Sequence, residues 1–584
     1  MKTRIFSLLL ATAMMISAAL TANAAEIEES TGAVLDDMIN SGELRESDIA
    51  ALFTHKQYDY DTSKEAEYGD YLYAPNFDSD TVTITGYRGS GSVATVPSEI
   101  NGKKVTEIGD HAFGHCESLT KVVIPEPIRK IDSFAFTHCT SIRKVELPNT
   151  LEEIEDSAFH MMSSLSSIEL PPSLVSIGDA AFSCSDLDCI ITIPASVSYI
   201  GEGVFDLSGV WQINVDPENK TFSSDGKAVY NKQKTRLIFC LQNCWGTFTI
   251  PNTVREIGPY AFSGCRNIGE IYIPDSVTTI EERAFGTCKS LQNITIPASV
   301  TKIGIEAFAC SDALDSITVD PKNKYYRSID GVLYNSDLTA ILACPGAKES
   351  VVIPDTIKTI GESCFFMCKA LTHINIPGSV TSIEKSAFVS CDSLTVLSIP
   401  DSVVSIGEEA FSCCSGLTSV RLSNSLTEIK NKTFELCYRL PRIKIPESVT
   451  NIGEDAFRMC SALSKAAIVN PNTTIDKYAF YECKKINIYC SENALARQYG
   501  VGVYPHFPLE SYTFLMGDID DDGQVTSSDA LAVLRMSVGL ESYNEDMLMI
   551  VDTDSNGNVT SGDALELLRF SVGLSKNDKI GKTI

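Results

Sequence analysis

The sequence predicts a solenoid of short parallel β-strands, one per 23-residue coil, with two β-hairpin insertions, followed by a small all-α calcium-binding unit of two loop–helix repeats. Three observations predict it. Phenylalanine recurs at a fixed interval of 23 residues, each coil carries apolar residues with LxxLxL spacing, and two acidic loops stand 34 residues apart near the carboxyl end.

Composition narrows the function classes. The chain has 584 residues with 47 Lys+Arg against 76 Asp+Glu, a net charge of -29, and 44% hydrophobic residues. This is neither a disordered polyelectrolyte nor a membrane bundle. So acidic a protein repels phosphate backbones, which disfavours nucleic-acid binding and suits extracellular solubility and cation binding.

At the amino terminus, Lys2 and Arg4 precede an apolar run over 5–20, and Ala22, Asn23 and Ala24 form a small-residue exit. Residues 1–24 therefore read as a signal peptide cleaved after Ala24, and the protein is expected to be secreted and extracellular. No later segment reaches the ~18 apolar residues of a membrane span. Residues 25–75 carry 3 Lys+Arg against 13 Asp+Glu, with helix-like apolar spacing at Val34, Leu35, Met38, Ile39, Ile49, Leu52 and Phe53. They are expected to form an acidic, helical cap for the stack, which needs one.

The ladder runs Phe113, Phe136, Phe159, Phe182, Phe205, then Phe262, Phe285, Phe308, then Phe365, Phe388, Phe411, Phe434, Phe457 and Phe480. Both gaps equal 57 residues, one repeat plus 34. Each inserted stretch contains an Asp-Gly turn signal, at Asp225-Gly226 and Asp330-Gly331, and is expected to project from the stack as a hairpin. Within one coil, Leu291, Ile294 and Ile296 point inward from a strand that Pro297 ends. Val300, Ile303, Ala307 and Phe308 form the opposite wall, and only neighbouring coils can bury this face.

The pattern SLTxIxIPxSVTxIGxxAFxxC, as in 290–310 and 370–391, resembles the bacterial leucine-rich repeats of the BspA-like type. The resemblance covers about residues 76–508 and implies a leucine-rich-repeat solenoid in an exported or surface-exposed binding protein. The stretch from Ile486 to Pro505 lacks the phenylalanine and reads as the closing cap.

After a linker at 509–516 comes DIDDDGQVTSSD at 518–529, matched by DTDSNGNVTSGD at 552–563. Oxygen donors fall at loop positions 1, 3, 5 and 12 with Gly at position 6, the spacing a hard cation needs. The expected ligands of two Ca2+ ions are Asp518, Asp520, Asp522, Gln524 and Asp529, then Asp552, Asp554, Asn556, Asn558 and Asp563; Gln524 and Asn558 contribute backbone carbonyls. Position 12 is Asp, and the residues before Asp518 read as a strand or linker and not as an entering helix. Two loops each followed only by an exiting helix, over 517–576 with a tail at 577–584, resemble a dockerin.

That resemblance implies docking onto a cohesin module of a cellulosomal scaffold. It places the cohesin-reading positions at Ser527, Ser528 and Arg535 in the first copy and Ser561, Gly562 and Arg569 in the second. Leu531, Leu534, Leu565 and Leu568 read as core.

Of 19 Cys, ten follow a ladder Phe by three residues, which predicts an inward stack of weak S–H donors in preference to a disulfide framework. His115-Cys116 and His138-Cys139 occupy one repeat position and should stack; consecutive residues point apart, so exposed histidines are favoured over a zinc site. Exposed strand-face positions should include Lys121, Lys144, Glu169, Tyr272, Asn293, His373, Asn375, Arg421, Arg442 and Lys444. No HExxH, P-loop or nucleophile elbow occurs, and Glu281-Glu282 and Glu408-Glu409 read as solvated turn residues. The expected protein is thus a non-catalytic adaptor. The alternative is a cellulosomal enzyme or polysaccharide-binding component acting in plant polysaccharide degradation.

Overall fold

Why a coil closes on itself is visible in one repeat. Leu291, Ile294, Ile296 and Val300 are completely or almost completely buried, and the Val300 N–H turns back to the Pro297 carbonyl at 3.3 Å. The strand Asn293–Ile296 pairs in parallel with Ser316–Val319 of the next coil, Ile294 opposite Ile317. A second strand of two residues, Lys302–Ile303, pairs in parallel with Thr279–Ile280, so the wall that the sequence assigns to Val300 and Ile303 is itself a ladder.

These features come from a computed structural model that describes residues 60–77, 80–499, 506–509, 517–519, 524–538, 551–553, 559–574, 577 and 580. The expected signal peptide at 1–24, the amphipathic stretch at 34–53 and the expected linker over 510–516 lie outside the described residues. By its internal contacts the chain divides into two units, 1–65 with 74–80, and 66–73 with 81–584. In the first, Asp61 caps the short turn Thr62–Lys64 by accepting the Ser63 N–H at 3.1 Å, and Tyr60 bridges Asn76.

In the second unit, residues 66–73 are not part of a helical cap. They form an antiparallel pair, Ala66 opposite Tyr73 and Tyr68 opposite Tyr71. Three tyrosines and a leucine within eight residues favour a pleated, half-buried surface over a helix.

Each ladder phenylalanine from Phe113 to Phe457 sits in a tight turn whose residues two before and two after it adopt left-handed backbone, as at Ser386 (φ 54°) and Ser390 (φ 57°). Such a residue costs roughly 1 kcal/mol outside glycine. Inter-coil hydrogen bonds hold the turn against that cost: the Phe388 N–H reaches the Ala410 carbonyl at 2.8 Å, and Phe136 reaches Ala158 likewise. The rings consequently stack, with centroids 5.3 Å apart and planes 1° apart for Phe159 and Phe182. Tyr87 covers the first ring, Phe113, at 5.2 Å, and Tyr499 meets the last, Phe480, edge-on at 5.9 Å.

The insertions do not project. In the first, β1 (Phe222–Ser224), β2 (Ala228–Asn231) and β3 (Arg236–Cys240) are antiparallel neighbours, and β3 continues in parallel into Glu256–Ile257 of the next coil. In the second, β4 (Tyr326–Ile329), β5 (Val332–Asn335) and β6 (Ala340–Ala343) repeat the arrangement and continue into Thr359–Ile360. The reason is apolar content. Val229, Tyr230 and Leu237, like Leu333, Tyr334 and Ile341, are buried in the core, and a projecting hairpin would expose them.

At the carboxyl end, α1 (Ser527–Ser537) and α2 (Ser561–Ser571) pack against each other over Val533, Met536 and Leu567, with Ile519, Val551 and Val559 filling the remainder of their core. Thr526 and Thr560 close identical capping boxes with Asp529 and Asp563.

Candidate functional site

The two acidic loops are organised from position 12. The Asp529 carboxylate is buried and accepts the Ile519 N–H at 2.7 Å on one oxygen and the Thr526 N–H at 2.7 Å on the other. Asp563 does the same with Thr553 at 2.8 Å and Thr560 at 2.9 Å. One side chain thus ties loop position 2 to position 9 and caps the helix. The position 1 carboxylates, Asp518 and Asp552, are buried as well.

These carboxylates are held in place: Asp518 has the Arg442 guanidinium 3.4 Å away, and Asp529 and Asp563 accept backbone N–H groups of their own loops. Hard oxygen donors at positions 1 and 12 suit Ca2+, so the donor set fits the expected ion. Gln524 is exposed at position 7, where its backbone oxygen is the expected ligand. Asp520, Asp522, Asp554, Asn556 and Asn558 lie outside the described residues.

The helices correct one expectation. Leu531, Leu534, Leu565 and Leu568 are not core but 42–49% exposed, and Val538 and Val572 are about 60% exposed. Ala530, Val533, Met536 and their counterparts Ala564 and Leu567 take the buried face. Five consecutive apolar residues from Ala530 to Leu534 are too many for one stripe, and the excess faces outward. The signal was present in the sequence, since Ala530 to Leu534 is unbroken apolar chain. Ser527, Ser528, Ser561, Gly562 and Arg569 are exposed and Arg535 is half-buried, on the same two helices as the leucines.

On the solenoid, Lys121, Lys144, Glu169, Tyr272, Asn293 and Lys444 are exposed as expected, and His373, Asn375 and Arg421 are half-buried. Arg442 departs from the pattern. It is buried, with its guanidinium 3.4 Å from the Asp518 carboxylate, while Ser419 donates to the Ile519 carbonyl at 3.1 Å. The first acidic loop therefore covers this part of the strand face. Trp245, 80% exposed, is a surface aromatic that the sequence reading passed over.

The cysteine ladder is a hydrogen-bonded column. Cys139, Cys288, Cys391, Cys414, Cys460 and Cys483 each donate to the carbonyl of the ladder Phe 26 residues earlier, at 3.0–3.2 Å. Burial pushes the Cys139 and Cys310 thiols up to about 12, which keeps them protonated and poorly nucleophilic. His115 and His138 stack at 4.6 Å, and His160 meets His138 edge-on at 6.1 Å. Burial lowers His160 to about 4. Among the described residues no group of three or more His, Cys, Asp or Glu side chains is arranged to hold a metal ion. The adjacent carboxylates have local partners: Glu281 pairs with Lys302 at 3.0 Å, and Glu409 accepts the Ser386 hydroxyl at 3.3 Å. Among the described residues no helix is long and apolar enough to cross a membrane.

Comparison with known proteins gives a family and a set of solved folds. The family described as BspA type Leucine rich repeat region (6 copies) matches residues 106–234, 238–348, 343–464 and 384–496. A leucine-rich cell surface protein from Faecalibacterium prausnitzii is 28% identical over 76% of this chain and 98% of its own, with a TM-score of 0.35. A leucine-rich repeat protein from Eubacterium ventriosum is 23% identical over 67% of this chain and 93% of its own, TM-score 0.39. A leucine-rich repeat protein from T. pallidum is 27% identical over 43% of this chain and 91% of its own, TM-score 0.27. No curated protein matches the chain.

Proposed function

The chain belongs to the BspA-type leucine-rich repeat family, and from that premise we propose that it is an exported, non-catalytic adaptor. Its solenoid binds a protein or cell-surface partner, and its carboxyl-terminal unit docks as a dockerin onto a cohesin module of a scaffolding protein.

The observation that carries the docking half is the repeated exposed face. Leu531 and Leu534 on α1 and Leu565 and Leu568 on α2 present apolar side chains to solvent at matching positions. A soluble unit rarely leaves two such stripes uncovered unless a partner covers them. Arg535 and Arg569 flank the stripes and Ser527 and Ser561 start the helices, which gives each face a polar margin. Calcium, when bound, would be held by the carboxylates at positions 1 and 12 of the two loops, Asp518 with Asp529 and Asp552 with Asp563. Asp529 and Asp563 meanwhile hold loop and helix together, so the faces depend on the loops.

For the solenoid half, the support is the exposed strand face with its mixed charges and aromatics, including Tyr272 and Trp245. Purified cohesin modules presented to the full chain test the reading. Capture in calcium and loss of capture in excess chelator is the expected result. Equal capture in both, or none in either, would reject the docking reading.

A further inference from the structure

The second insertion leaves a gap in the ring stack that the first insertion fills. Register equates the two: Val229 opposes Phe239 as Leu333 opposes Ala343, and Leu237 opposes Ile257 as Ile341 opposes Ile360. Phe239 therefore corresponds to Ala343. In the first insertion the Phe239 ring lies 5.8 Å from Phe205 and prolongs the stack. In the second, Ala343 offers only a methyl, and next to it is a cavity of about 270 Å³. Phe308, Leu333, Leu342 and Phe366 complete its apolar lining. Phe308, stacked on Phe285 at 5.6 Å, ends its run of rings here.

The mouth of this cavity is acidic. Glu306 and Glu362 line it. The nearby cations are already matched: Glu306 accepts the Arg283 Nε–H at 2.6 Å, with the guanidinium 5.9 Å from the Tyr260 ring and 5.8 Å from Phe366, and Lys302 is held by Glu281 at 3.0 Å. Glu362, exposed and in the lining, remains as negative charge. The crowding is felt at Glu282, whose carboxyl is pushed up by burial and, against the pull of Arg283, by Glu306 and Glu362.

We propose that this cavity is a binding site for a small aromatic amine, whose ring takes the place that Phe239 occupies in the first insertion and whose ammonium meets Glu362. A dry apolar cavity of about 150 Å³ is enough for benzene, so the volume here admits one ring with a short arm. The acidic mouth selects the sign of the charge on that arm. This site is separate from the docking helices, and its success or failure leaves the docking reading untouched.

Calorimetric titration of the full chain with 2-phenylethylamine, 2-phenylethanol and 3-phenylpropionate tests the proposal. The amine should bind saturably at one site, at least tenfold tighter than the carboxylate, with the alcohol between. Ala343→Phe, which installs the ring found at Phe239, should weaken amine binding at least tenfold with an unchanged circular dichroism spectrum. Should that variant fold poorly, Glu362→Gln on the exposed mouth should reduce the preference of amine over alcohol several-fold. Equal binding of all three probes, no saturable binding, or undiminished binding in well-folded Ala343→Phe would overturn it.

Discussion

Replacing Phe159 measures what the ring ladder contributes. Its ring is fully buried, 5.3 Å from Phe136 with planes 3° apart and 5.3 Å from Phe182 with planes 1° apart. Phe159→Ala should cost about 3–5 kcal/mol from lost transfer energy and the cavity left behind. The stacking share can be isolated. Phe159→Leu keeps most of the bulk but loses two ring faces, each worth about 0.5–1.5 kcal/mol beyond burial. In a cycle of Phe159→Leu, Phe182→Leu and the double variant, only the shared face couples, so the interaction energy should be about 0.5–1.5 kcal/mol. Urea unfolding followed by tryptophan fluorescence is the assay. The chain has two Trp, Trp211 and Trp245, both within two coils of these rings or in the insertion that follows. Additivity within about 0.3 kcal/mol would refute the claim that the rings do more than fill volume.

Asp563→Ala should remove the loop closure and the N3 half of the α2 capping box, leaving the Thr560 cap on the Gly562 N–H, and calcium titration should fall from two ions to one. Arg442→Gln withdraws a guanidinium that sits 3.4 Å from Asp518. Calcium affinity at the first loop should rise by up to about tenfold, read by calorimetry, with the second loop unchanged. His160 gives a pH dependence. Burial lowers its folded pKa to about 4 from 6.5, so the neutral form is favoured in the fold. Stability is then fully present above pH 6.5 and is lost as pH falls towards 4, at most about 3 kcal/mol. His160→Asn should flatten thermal melts recorded between those pH values.

The periodic part of this fold was legible because a solenoid repeats its physics. The spacing of Phe113 to Phe480 and of the following cysteines is the spacing of the coils, and the S–H donors to Phe carbonyls follow from it. The two loops were legible as a repeated spacing, and what the structure adds is that Asp529 and Asp563 at position 12 each tie loop position 2 to position 9. What escaped was set by tertiary context. An Asp-Gly turn signals a hairpin at Asp330-Gly331 but not whether its strands join a neighbouring sheet; that depends on Leu333 and Ile341 finding a core. The apolar run from Ala530 to Leu534 shows that some of its residues must face outward but not which ones, and only the packing of α1 on α2 turns Leu531 and Leu565 to the surface. The cavity beside Ala343 is visible only when the two insertions are aligned by register and not by composition.

The most direct test of the adaptor reading is the dissociation constant of a purified cohesin module for the full chain in calcium, measured for wild type and for Leu534→Asp combined with Leu568→Asp. Both leucines are exposed, so the variant should still bind two calcium ions and keep its helices. The account predicts at least a hundredfold loss of cohesin affinity with calcium binding intact. Unchanged affinity in the calcium-loaded variant would contradict it, leaving the loops as structural staples and the protein as a free-standing repeat binder.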